Sequence, residues 1–322
     1  MSDAVQGKEK KGFYLNRDVK QFLSTFSGLV VLMIIFSFSN KNFFSMNNIL
    51  NVAVQTTPIL LIAIGQTYVL ITGGIDLSIG SNIAIAGVIA AILMKSGMPI
   101  PIAIIAGVGA AALTGIVNGI LVTYGKLPPF IVTLGTMTTV RGITLTITKG
   151  IPISGLPDQF NAIGISKTLG IPNPIYIMIF FALFFGIILA KTKTGRYTYA
   201  LGSNFEAARL SGVNAHKSLI KVYMFSGILA GIAGLVMAAR IISAPPTAGT
   251  GYELDAVAAS VIGGASTLGG EGAISGTLIG AFIIGVLRNG LNLMGVSPFI
   301  QQIVIGIVIV GAVFFDKLRH KD

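Results

Sequence analysis

Apolar residues run along this chain in long blocks separated by short polar or glycine-rich joints. A helix that crosses a bilayer needs about 20 largely apolar residues. Blocks near that size lie at 21–39, 49–71, 78–94, 100–123, 130–148, 174–190, 218–239, 274–294 and 298–315, with a shorter Gly- and Ser-rich block at 255–269. The pattern predicts an all-α, polytopic transmembrane bundle of about ten spans, the eighth being either a crossing or a re-entrant, broken segment. An even count puts both termini on one face. Residues 149–173 carry Pro152, Pro157 and Pro172 and read as loop or short surface helix; 241–254 are broken by Pro245-Pro246 and Gly249-Thr250-Gly251. No linker divides the chain, so the organisation is a tail at 1–20, one membrane domain at 21–316 and a tail at 317–322.

Composition supports this reading. The chain is 53% hydrophobic and 10% charged, with a mean hydropathy of +0.85, whereas a soluble domain carries about 25% charged residues. The formal charge of +11 takes its meaning from its location. Lys8, Lys10, Lys11, Arg17 and Lys20 precede the first block; Lys191, Lys193, Arg196, Arg209 and Lys217 share one loop; Lys317, Arg319 and Lys321 end the chain. Basic residues beside spans mark the cytoplasmic side, so the partner they imply is a lipid bilayer and not nucleic acid. The opposite loops carry fewer: Lys41, Lys95, Lys149, Lys167 and Arg240. The apolar run Gln21–Phe38 is long for a signal peptide and no small-x-small cleavage site follows, so it reads as a retained span. With no cysteine, and His216 and His320 as the only histidines, the sequence excludes disulfides, thiolate metal sites and a histidine metal centre.

Enzyme signatures fail. There is no Gly-x-x-x-x-Gly-Lys-Ser/Thr phosphate loop, no His-Glu-x-x-His and no Gly-x-Ser-x-Gly. Gly-x-x-x-Gly pairs at Gly115/Gly119, Gly227/Gly231 and Gly276/Gly280 suit close helix packing within the chain or at a subunit interface.

Three polar features carry candidate chemistry. In the basic loop 191–217, Ser203-Asn204-Phe205-Glu206 matches a capping box, Ala207, Ala208, Arg209 and Leu210 favour helix, and Gly212 suits its end. A two-turn helix is marginal in water and must dock. Phe205, Ala208, Arg209 and Gly212 fall on one face, either lying on the bundle or forming a peg for a soluble partner. Asp76 sits between apolar runs beside Gly73, Gly74 and Gly80. It is either the N-cap of the third span or, with Ser78, a polar element at the cytoplasmic gate of a pathway. Glu253 and Asp255 open the eighth segment on the outer side, where the helix dipole favours them; with Thr250 and Tyr252 they also offer a docking patch. Asn118, Asn289, Asn292, Arg141 and Arg288 fall in or near spans and are expected to face inward, Asn118, Asn289, Asn292 and Arg141 as candidates, with Asp76 and Ser78, for the translocation pathway or its gate. Arg141 is the deepest, and Asp76 is one candidate partner for it.

The segment Gly195–Asn214, with Glu206-Ala207-Ala208 followed by Gly212, resembles the Glu-Ala-Ala…Gly loop of ATP-binding-cassette permeases. Thr72–Ser81, Pro246–Ala256 and Asn289–Ser297 extend the similarity to bacterial monosaccharide permeases of the ribose type, over nearly all the chain except about its first twenty residues. Glu271 has no counterpart. The resemblance implies a homodimeric core in a bacterial inner membrane. A separate cassette ATPase, carrying the ATP and Mg that this chain lacks, would grip Ser203, Asn204, Phe205, Glu206, Ala207, Ala208, Arg209, Leu210, Ser211 and Gly212. An extracytoplasmic binding protein would deliver the monosaccharide, ribose first, with xylose, galactose, a signalling sugar or a branched-chain amino acid as alternatives. A secondary transporter would need midplane coupling residues, and a membrane enzyme a paired acid–base or metal set.

Overall fold

The computed structural model describes residues 17–319, so residues 1–16 of the first predicted tail and 320–322 of the second lie outside the described residues. Thirteen helices are described: α1 (Arg17–Ser39), α2 (Met46–Ile71), α3 (Ile79–Lys95), α4 (Ile100–Thr123), α5 (Pro129–Thr148), α6 (Asp158–Ile165), α7 (Asn173–Lys191), α8 (Lys193–Ser203), α9 (Phe205–Leu210), α10 (Ala215–Ile241), α11 (Tyr252–Ile262), α12 (Ile274–Leu293) and α13 (Pro298–Arg319). Seven are long and apolar enough to cross a membrane: α1, α2, α4, α5, α7, α10 and α12. Two shorter apolar stretches, α3 and Pro298–Phe314 of α13, join them. The chain is a multi-pass helical membrane protein.

The eighth block takes the broken form among its two expected alternatives, and one expectation changes. The block is not one helix: α11 covers Tyr252–Ile262 and irregular chain follows to Ala273. At 1.5 Å per residue, eleven residues reach about 16 Å, roughly half the hydrocarbon thickness. Nor is the chain purely helical. Two-residue strands β1 (Ile153–Ser154) and β4 (Ser243–Ala244) pair, as do β2 (Lys167–Thr168) and β3 (Ile171–Pro172), tying loops together at one end.

α2 is the central pillar. Every residue from Thr56 to Ile71 is buried, as expected of a helix that is apolar all round. α10 lies against it, with Ser226 on Gly65 and Phe225 on Tyr68. Helix directions follow from side-chain contacts. α4 and α10 run antiparallel, with Gly115 against Tyr223 and Gly231 against Val108. α2 and α12 do the same, with Thr56 at Gly285 and Thr67 at Thr277. α3 follows α10, with Ile83 by Gly234 and Gly87 by Ala238. α11 is antiparallel to α12, with Ala259 at Gly280 and Gly263 at Gly276, and so follows α2. α7 runs beside α2, with Pro174 at Thr57 and Phe185 at Tyr68. It starts where α10 finishes, because α6 packs Gly164 on Ala239 and Arg240 and Asn173 holds Ala162. α2 and α10 therefore point in opposite senses. The units α2–α5 and α10–α13 have the same packing plan with inverted direction, which is the architecture of inverted-topology repeats.

The Gly-x-x-x-Gly pairs resolve as packing inside the chain. Gly115 and Gly119 meet the backbone of Tyr223 and Ile220, Gly227 and Gly231 meet Ala111 and Val108, and Gly276 and Gly280 meet α11. A side chain at Gly227 would strike the Ala111 carbonyl, whereas nothing lies within 4 Å of a Cβ placed at Gly109 on the outer face of α4. Gly227→Leu is therefore expected to cost roughly 1–3 kcal/mol or more of bundle stability, while Gly109→Leu is close to neutral. Thermal unfolding of the two variants in detergent, followed by tryptophan-free circular dichroism, measures the difference.

Candidate functional site

Two chain breaks bring polar groups into the bundle. At the first, α2 ends at Ile71, the chain turns through Gly73 (φ +76°), and α3 begins at Ile79. Asp76 lies in this turn and is fully buried. It is not the N-cap; that position is held by Ser78. Asp76 Oδ1 accepts from the Ser78 amide (3.0 Å) and hydroxyl (2.6 Å), and Oδ2 accepts from the Ser226 hydroxyl of α10 (2.7 Å). Asn118 of α4 donates to Ser78 Oγ (2.9 Å) and accepts from Thr136 of α5 (2.5 Å). Three donors from Ser78 and Ser226 thus meet one carboxyl group, with Asn118 and Thr136 linked behind Ser78 and no cation among the bonds. Such an arrangement satisfies a buried carboxyl group without an ion pair. Gln66 Nε2, Asn82 Oδ1 and Tyr223 Oη around this cluster have no hydrogen-bond partner.

The second break is the loop after α10. Residues 245–251 enter the bundle, so that Gly249 packs against Gly80 at the start of α3. Arg141 of α5 secures this contact. Its Nη1 donates to the carbonyls of Pro246 (2.7 Å) and Ala248 (2.8 Å), and its Nη2 to Gly80 (3.2 Å). Asp76 is therefore not its partner. Glu253 lies against Gly80, with Oε1 accepting from the Gly251 amide (3.2 Å) and Oε2 buried without a partner. The amino ends of α3 and α11 consequently meet inside the protein. This corrects the placement of the acidic pair on an outer docking surface: Asp255 is fully buried and bound by Arg288 of α12 at 2.7 and 2.9 Å. Arg288 also sits 5.8 Å from the Tyr252 ring centroid. Of the four residues read as a docking patch, only Thr250 is exposed, with Tyr252 and Glu253 half-buried.

Two further asparagines expected along the pathway, Asn289 and Asn292, lie near the end of α12. Asn289 pairs amide to amide with Asn48 (3.0 and 3.1 Å), tying α12 to α2. Asn292 is exposed at the end of α12.

At the opposite end of α2, the basic loop folds as two helices where one was expected. α8 was not read from the sequence, although Gly195, Thr198 and Leu201 form its buried face. α9 is capped differently from the expected box. Asn204 is the N-cap and accepts from the Ala207 amide (2.9 Å), while Ser203 ends α8 and Glu206 pairs with Arg209 (2.9 Å). The far end closes as anticipated. Gly212 takes φ +85°, its amide bonds to the Arg209 carbonyl (3.1 Å), and the Val213 amide bonds to Ala208 (3.1 Å), a Schellman motif. On the predicted face only Ala208 is buried, against Leu201, Ala215 and Leu219. Phe205, Glu206, Arg209 and Gly212 are exposed, and Leu210 is 79% exposed.

Removing Arg288 leaves Asp255 buried and unpaired. Arg288→Ala is expected to destabilise the bundle by about 3–5 kcal/mol, and adding Asp255→Asn should recover much of the loss. Unfolding midpoints of the single and double variants measure this.

The chain matches the family described as branched-chain amino acid transport system / permease component over residues 48–313. It is 46% identical over 298 residues to the ribose import permease of Escherichia coli K12, covering 91% of this chain and 92% of that one. It is 47% identical over 303 residues to the ribose import permease of Bacillus subtilis, covering 94% of each. The D-allose transport permease of Escherichia coli K12 is 37% identical over 317 residues, covering 98% of this chain and 97% of that one. No solved structure matches. With its inverted helical units and a family match spanning most of its length, the chain belongs to the family of branched-chain amino acid transport system permease components.

Proposed function

We propose that this chain is the membrane subunit of an ATP-driven monosaccharide importer, with ribose as its cargo. The ribose permeases at 46–47% identity, against the allose permease at 37% and an arabinose permease at 35%, support the choice of sugar. The observation that carries the mechanism is α9: a six-residue helix stopped at both ends, holding its apolar Leu210 and Phe205 outward. So short a helix does not persist alone; fixed caps and an unfilled apolar surface suit a rigid peg for another protein.

Counting α11 with residues 263–273 as one crossing gives ten passes among the described residues, and the start of α1 and the end of α13 fall on the face that carries α8 and α9. That face bears Lys191, Lys193, Arg196, Arg209 and Lys217, so it is cytoplasmic. A cassette ATPase binds ATP and Mg there and grips Phe205–Leu210. A binding protein delivers sugar at the other face, near β1 and β4. Two copies of the chain enclose the pathway. The α3–α11 junction, with Asp76, Ser78, Asn118 and Arg141, lies beside that pathway and shifts as the ATPases close. The transported sugar is the substrate; this chain performs no covalent chemistry.

Inverted repeats with helices broken inside the bundle also occur in secondary transporters. Uptake by the purified chain without an ATPase would favour that class.

Glu206→Lys and Leu210→Asp are expected to lower ATP-dependent ribose uptake about thirtyfold or more, as loss of an interface hot spot does, with membrane insertion unchanged. Transport assays in proteoliposomes holding permease, ATPase and binding protein check this; normal uptake by both variants would remove α9 from the coupling. Asp76→Ala leaves the Ser78 and Ser226 donors without their acceptor, at about 1–3 kcal/mol for each buried group. Uptake should fall more than the amount of protein in the membrane, as quantitative blotting beside the transport assay would show.

A further inference from the structure

Three stretches of backbone meet at one point near the base of α2: its last turn at Ile71–Gly73, the end of α8 at Gly202–Ser203, and the connection between α11 and α12 at Gly269–Gly270. The Gly270 amide donates to the Ile71 carbonyl (2.8 Å). A Cβ on Gly202 would collide with that carbonyl and lie 2.6 Å from the Gly270 nitrogen. Gly269 (φ +90°) has the Gly202 carbonyl and the Gly73 nitrogen at 3.1 and 3.2 Å from its Cβ position, and Gly270 (φ +78°) sits on Ser203. Tyr199 of α8 crosses to the same connection, its hydroxyl donating to the Gly272 carbonyl (2.6 Å). Asp316 of α13 accepts from the amide and hydroxyl of Thr267 (3.3 and 3.1 Å).

Each stretch leads to a different part of the machine. Gly73 is three residues from Asp76 and six from the start of α3. The 263–273 connection follows α11, the other half-helix. Ser203 is separated from α9 by Asn204 alone. Gly202 meets the Ile71 carbonyl and the Gly270 nitrogen backbone to backbone, so no rotamer change can absorb a displacement at that contact; close-packed backbone passes it on.

We propose that this three-way joint, with Gly202 and Tyr199 as positioning residues, is where movement of α9 enters both inverted units at once. α8 is the lever arm, and the joint drives α3 through Gly73 and α11 through Gly269–Gly270. The inference rests on the importer reading and adds the route by which its coupling helix acts.

The test uses the full permease–ATPase–binding-protein complex in proteoliposomes, reading sugar moved per ATP hydrolysed together with retention of the ATPase. Gly202→Ala should still retain the ATPase and hydrolyse ATP, while sugar moved per ATP falls about tenfold, within the range that coupling mutations reach. Tyr199→Phe removes one hydrogen bond and no volume, and should lower the same ratio about threefold. If Gly202→Ala fails to accumulate in the membrane, Tyr199→Phe decides alone. A wild-type ratio in Tyr199→Phe, or in an inserted Gly202→Ala, overturns the joint. So does loss of ATPase retention in either variant, because the lever would then only be shaping the peg. Leu210→Asp run in parallel separates the two ideas: ATPase binding undisturbed by that change sinks the importer coupling itself, whatever the joint variants do.

Discussion

A helix that stops inside a bilayer leaves amides and carbonyls with no partner, and hydrocarbon supplies none. Everything distinctive in this fold is a way of meeting that constraint. The chain breaks at 72–78 and again at 242–251, and each break is sealed from lipid by α2, α10 and their neighbours. At the first, the Asp76 carboxylate binds the Ser78 amide and hydroxyl and the Ser226 hydroxyl. At the second, the Arg141 guanidinium donates to the loop carbonyls of Pro246 and Ala248 and to Gly80 in the first turn of α3. A single carboxylate and a single guanidinium, neither paired to the other, thus make the two interruptions tolerable.

The spans were legible because apolar length is a strong signal, and α2, α4, α5, α7, α10 and α12 follow their blocks closely. The breaks were visible only as glycine and proline. That Gly249-Thr250-Gly251 turns into the bundle and not over its surface depends on Arg141, more than a hundred residues away, and no local pattern carries that pairing. Glu253 and Asp255 were misplaced for the same reason: a helix N-terminus welcomes acids inside or outside the membrane, and Arg288 decides the matter. At α9 the sequence offered Ser203 and Asn204 as adjacent caps. Ser203 was taken up by the end of α8 and its contact with Gly270, leaving the role to Asn204.

The inverted relation of the two units also left a faint trace. Asp76-Leu77-Ser78-Ile79-Gly80-Ser81 and Asp255-Ala256-Val257-Ala258-Ala259-Ser260 share an acid, a small residue four places on and a following serine, and Asn118-Gly119-Ile120 answers Asn289-Gly290-Leu291. Identity at so few positions is invisible to a single pass along the chain. It becomes readable once α3 against α4 and α11 against α12 are seen to pack alike.

The two units do not balance their charges alike, and this asymmetry has mechanical weight. In the second, Asp255 is locked to Arg288, an ion pair whose rupture would strand the buried Asp255 without its partner. In the first, the position beside the carboxylate is served by neutral hydroxyls and by Asn118 and Thr136 behind them. Neutral donors can be exchanged one for another, and Gln66 and Tyr223 stand beside Asp76 with donors unused. A junction that can trade one hydroxyl for another moves at the cost of about 0.5–1.5 kcal/mol per bond, whereas one held by an ion pair does not. A transporter must keep two conformations within a few kcal/mol of each other. The contacts around Asp76 are chemically suited to rearrange, whereas the Asp255–Arg288 pair holds α11 and α12 together, so that whatever displaces one carries the other with it.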